Sequence, residues 1–74
     1  MDDGMAVQVV SITEGGSLWT GTGHVLDEDG IASPDLITFG GDWRMMRDIK
    51  WALERDEEPI AIVPGWAVLG RIPA

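Results

Sequence analysis

Residues 41–59 read GDWRMMRDIKWALERDEEP, and the rest of the fold is built around them. At about 100° per residue, Met45, Met46, Ile49, Ala52 and Leu53 gather on one side of a helix, while Arg44, Arg47, Trp51 and Arg55 fall on the other. Asp42 stands where an N-cap carboxylate accepts hydrogen bonds from first-turn amides, so the helix is expected to start at Trp43. It is expected to end near Arg55 or Asp56, because Pro59 cannot continue it and disfavours helical geometry at Glu58. An amphipathic helix of this kind needs an apolar surface to cover.

The flanking segments supply that surface as strands. Residues 6–13 are rich in β-branched types, with Val7, Val9, Val10 and Ile12 on both faces, and read as a well-covered strand. The Glu14, Gly15, Gly16, Ser17 turn leads to a second strand over 18–26, making a hairpin; Gly21 and Gly23 within it suit a bulge or the close approach of another backbone. Asp27, Glu28, Asp29, Gly30 and then Ser33, Pro34, Asp35 are turn signals, followed by a short third strand over 36–39. After the helix, 60–63 and 66–72 read as strands about Pro64 and Gly65, either as a kinked edge strand or as a second hairpin. The order β, β, short β, α, β, with an optional final β, predicts one α+β domain over 1–74: a small antiparallel sheet covered on one face by a single helix.

Composition narrows the function classes. The 74 residues contain 13 acids and 5 bases, a net charge of −8 with a pI near 4.2, which disfavours contact with nucleic acid or anionic lipid through a broad basic surface. With 45% apolar residues and four tryptophans the chain has enough to bury, so disorder is not expected. A chain this short still buries only roughly 60% of its unfolded surface, so bound partners or self-assembly add usefully to stability. Cysteine is absent, which excludes disulfides, thiolate zinc and a cysteine nucleophile. The chain starts Met1, Asp2, Asp3, Gly4, with acids where a secretory signal is basic, and no apolar run approaches the roughly 20 residues of a membrane span; a cytoplasmic, non-membrane protein is expected.

Catalytic and cofactor chemistry finds little support. His24 is the one histidine, and no pattern places Ser11, Ser17 or Ser33 and a carboxylate beside it, so a structural role is expected. Asp27, Glu28 and Asp29 are too compact for a calcium loop, with Gly30 arriving too early; they read as a solvated turn. Asp56, Glu57 and Glu58 form a second exposed acidic cluster at a helix C-terminus, where the macrodipole opposes them. Gly21, Thr22, Gly23 lacks the further glycines and the following helix of a phosphate loop. No enzyme, metal or cofactor is expected.

What remains is recognition. Tryptophan flanked by arginines is the composition of a binding hot spot, which makes Arg44, Arg47, Trp51 and Arg55 one candidate protein-binding surface. The acids Asp27, Glu28, Asp29, Asp56, Glu57 and Glu58 are another. Two readings of Trp51 stay open: an exposed anchor, or a ring folded against the 27–35 loop. In the second, Arg47 stacks on Trp43 or Trp51 and Arg55 pairs with Asp48 or Glu58. Trp43 is expected in the core, and Trp19 and Trp66 in sheet packing.

The run Trp43, Arg44, Met45, Met46, the helix ending in acids before Pro59, and the closing Val63, Pro64, Gly65, Trp66 with Gly70 and Arg71, resembles a pattern in small uncharacterised proteins of actinobacterial phages. It covers less than half of the chain, and a composition that suggests GC-rich coding agrees with it. The resemblance implies a phage or prophage setting and carries no residue role. The expected function is a non-catalytic module that binds a host protein as an inhibitor or modulator, through an acidic surface able to stand in for nucleic acid and through the Trp/Arg helix face. The alternative is a structural or decoration subunit of a phage particle or homo-oligomer, located in the virion rather than the host cytoplasm.

Overall fold

The structure, a computed structural model, describes Gly4–Ala74. The acidic start read at Met1, Asp2 and Asp3 lies outside the described residues. In chain order it comprises β1 (Gly4–Thr13), β2 (Trp19–Val25), β3 (Leu36–Gly41), α1 (Trp43–Glu54), β4 (Ile60–Pro64) and β5 (Val68–Ile72), with a 3₁₀ turn over Gly65–Ala67 between the last two strands. All neighbours pair antiparallel in one five-stranded sheet of order β4-β1-β2-β3-β5, and the helix covers one face of it. The fold is the expected small α+β domain.

One face of β1 is covered, not both. Val7 and Val9 point into the core, and a bulge between Val9 and Ser11 resets the alternation so that Ile12 also turns inward. Val10, the extra residue, is left exposed on the outer face. Across the ladder, Gly23 sits where a Cβ would lie 2.5 Å from the Gln8 carbonyl oxygen and 2.6 Å from a Val7 methyl. At Gly21 a Cβ would lie 2.7 Å from the Phe39 ring. These two glycines let β1 and the Phe39 ring close onto β2, as their place in the strand suggested.

The helix enters this concave surface through Met46, Ile49 and Ala52, with Leu53 half-buried beside them. Phe39, Val7, Val9, Val63 and Met46 are the best-buried large side chains, and Ile37, Ala61 and Ala67 complete the core. Asp42 caps the helix as expected, its carboxylate accepting from the Arg44 amide at 2.7 Å. Met45 and Trp43 depart from the reading. Met45 is exposed, and Trp43 keeps 47% of its surface in water, because the stripe that reaches the sheet is narrower than the apolar side of the helix.

The connection after Pro64 is neither a hairpin nor a kink in one edge strand. β4 pairs with β1 and β5 with β3, so the two strands occupy opposite edges of the sheet. In a flat sheet those edges would stand about 19 Å apart, at ~4.8 Å per strand. A three-residue 3₁₀ turn spans the gap, and from Pro64 to Val68 even an extended chain reaches only about 14 Å. The sheet is therefore curled until its two edges approach, forming a half-closed barrel with α1 packed against its interior. Trp66, assigned to a strand by its apolar neighbours, instead stands on the turn with 87% of its surface exposed.

Candidate functional site

The outward face of α1 carries a stack built by helical spacing. Trp43, Arg47 and Trp51 are each four residues apart and rise one above another. The Arg47 guanidinium carbon lies 5.2 Å from the Trp43 ring centroid and 4.8 Å from that of Trp51, so the cation is held between two indoles. Arg44 lies 5.5 Å over Trp43 and has no carboxylate within ion-pair reach among the described residues. Both indoles remain about half exposed, 47% for Trp43 and 48% for Trp51. Arg47 also reaches Asp48 at 3.4 Å. Lys50 turns the other way, to Glu14 at 2.5 Å, tying the helix to the end of the first hairpin strand; that carboxylate raises the Lys50 pKa.

Arg55 lies apart from this stack. Its partner is Glu57 at 3.0 Å, not Asp48 or Glu58, because the helix has already ended. Asp56 adopts φ +61°, the Glu57 amide donates to the Ala52 carbonyl and the Asp56 amide to the Leu53 carbonyl, which together form a Schellman ending. That turn brings Glu57 back toward Arg55. The hydrogen bond from the guanidinium lowers the Glu57 pKa and raises that of Arg55.

The two acidic clusters are unlike each other. Asp27 is used within its own loop, its carboxylate accepting from the amides of Asp29 at 2.8 Å and Ile31 at 2.9 Å, so only Glu28 and Asp29 project freely from that turn. In the second cluster Glu57 is paired, Glu58 accepts from the Gln8 amide at 3.3 Å, and Asp56 holds the left-handed position. No group of three or more His, Cys, Asp or Glu among the described residues is placed to hold a metal ion. His24 has a structural partner: Nδ1 lies 2.8 Å from the Ser33 carbonyl oxygen and 3.1 Å from that of Asp35, fastening the 33–35 turn to β2. Asp35 accepts from Arg71 and from the Ala74 amide, the latter being the chief reason its pKa falls below 3.8.

Two features were beyond sequence reasoning because the register creates them. Leu18, before β2, and Leu69, in β5, flank Gly40 on the outer face, and with Ala67 and Trp66 they line a shallow apolar groove of about 290 Å³. A Pro-Gly step followed by tryptophan was the one available signal, since it places an aromatic at a turn. At the end of β3 remote from the helix, Met5, Val25, Ile37 and Val68 line a second cleft of about 420 Å³ rimmed by Ser33, Asp35 and Arg71. None of the protein-family models, curated proteins or solved structures compared with the chain matches it. Among the described residues no helix is long and apolar enough to cross a membrane.

Proposed function

We propose that this chain is a non-catalytic protein-binding module whose principal contact is the outward face of α1. The observation that carries the reading is the Arg47 cation fixed between Trp43 and Trp51 while both rings stay half exposed. Such a stack offers a partner a large amphipathic surface whose rotamers are already restrained, so little side-chain entropy is lost on docking. Arg44, which has no ion-pair partner among the described residues, adds a cation at one end. Arg55, turned to Glu57, plays no part in the stack.

The phage-type setting makes the partner a host protein and the host cytoplasm the place of action. The net charge of −8 steers a basic partner toward the module, with Glu28, Asp29, Asp56, Glu57 and Glu58 among the exposed acids. Mimicry of nucleic acid is the narrower form of this reading. Its test is salt: capture from an actinobacterial lysate should weaken steeply as ionic strength rises.

Trp51→Ala is the decisive variant for the helix face. It should lower affinity for the captured partner by at least ~2 kcal/mol, roughly thirtyfold, as expected of an anchor at the centre of an interface. Undiminished capture by Trp51→Ala would end this assignment. A second reading, an assembly or decoration subunit, draws on the exposed Trp66 beside the groove at Leu18 and Leu69. It predicts a defined homo-oligomer in light scattering, dispersed by Trp66→Ala.

A further inference from the structure

We infer that the free edge of β4 is a docking site for an extended, basic segment of a partner protein, which adds as a sixth strand beside Ile60 and Ile62. The register decides what this edge offers. The Val9 amide donates to the Pro59 carbonyl at 3.0 Å, so 9 and 59 form a hydrogen-bonded pair, and the same parity makes Val7 with Ala61 and Met5 with Val63 the next such pairs. Ala61 and Val63 therefore direct their main-chain groups to β1. Those of Ile60 and Ile62 point the other way, along an edge of β4 that no other strand pairs with among the described residues, the curled sheet included.

The side chains at the same two positions are unusually bare for isoleucine, 58% exposed at Ile60 and 62% at Ile62. Both lie on the outer face, opposite in sense to the buried Ala61 and Val63. An added strand would satisfy four main-chain groups and lay alternate apolar side chains against Ile60 and Ile62, the physics of strand addition. Pro59 and Pro64 bracket the offered edge and limit it to a short segment, which guards against open-ended pairing.

Charge selects the occupant. Exposed Asp56, Glu57 and Glu58 lead directly into β4, and neither Asp56 nor Glu58 has an ion-pair partner among the described residues. In an antiparallel addition the C-terminal end of the incoming strand lies beside these acids, so lysine or arginine is favoured there. A second copy of the chain is disfavoured, because each copy carries a net charge of −8. At the other sheet edge, Asp35 is bound to Arg71 of β5, so that carboxylate is already engaged.

The test uses an acetylated peptide of five alternating valine and threonine residues followed by three lysines. A control peptide is N-methylated at the amides that would pair. The full-length protein should bind the first peptide, and hydrogen exchange at the Ile60 and Ile62 amides, fast in the free protein, should slow on binding. N-methylation should weaken binding at least tenfold, and so should the double variant Asp56→Lys, Glu58→Lys. Ile62→Pro should abolish the added protection; because the Ile62 amide makes no ladder bond, β1–β4 pairing survives it, and the charge variants decide the matter if it does not. Trp51→Ala should leave peptide binding unchanged. Equal binding of the N-methylated peptide would show attraction by charge alone and overturn the proposal. So would protection appearing elsewhere, or a doubled mass with Ile60 and Ile62 already protected in the absence of peptide.

Discussion

Asp56 holds φ +61°, a left-handed conformation that an L side chain adopts only at a cost and that glycine adopts freely. It also places a negative charge at the negative end of the helix dipole. Asp56→Gly should therefore raise stability by about 0.5–1 kcal/mol, read from the urea midpoint at unchanged slope, since the Schellman hydrogen bonds at Glu57 and Asp56 are main-chain and survive the change. The acids at this helix end were visible in the chain, and so was their conflict with the dipole. Their geometry was not. The pairing of Arg55 with Glu57 depends on the reversal at Asp56, which no spacing rule reports. By contrast, the cap at Asp42 could be read directly, because an N-cap bond joins residues two apart and needs no tertiary partner.

For α1 the start was legible to the residue and the end to within one or two, the buried face less so. Periodicity put Met45 and Met46 on the same side, yet Met46 is fully buried and Met45 exposed, since the curled sheet admits only the centre of the apolar stripe. Met46→Ala should cost about 2–5 kcal/mol by denaturant titration, the range for emptying a fully buried site, while Met45→Ala should change little. For the strands, the bulge after Val9 upset a simple count of alternation; Gly23 is the partner of Val9 across the ladder, where β1 comes too close for a Cβ. β4 and β5 show the larger limit. Their apolar runs were recognisable, but which neighbour each strand takes is a long-range choice, and local turn chemistry at Pro64 and Gly65 left a kinked edge strand or a second hairpin open, neither of which forms.

Across the whole molecule, surface ion pairs stitch distant parts of the chain: Lys50 to Glu14, and Arg71 together with the Ala74 amide to Asp35. The Asp35 carboxyl is held below its ordinary 3.8, so in the acid range the unfolded chain binds more protons than the folded one. The stability it contributes is full above that value and is lost as pH falls through the folded pKa. The thermal midpoint of the wild type should accordingly exceed that of Asp35→Asn near about pH 6, and the gap should close as pH approaches about 2. A gap independent of pH would assign the effect to packing instead. The chain by itself determined the helix and its cap, the glycine and proline turns, the antiparallel α+β class and the acidic surface, because each follows from local propensity, short-range hydrogen bonding or a sum over residues. Only the tertiary structure decided that the sheet curls, that Trp43 and Trp66 stay in water, that Arg47 sits between two indoles and that Ile60 and Ile62 face an open edge. These depend on register and on which strands become neighbours, and that choice is made by burial over the whole chain rather than by any segment within it.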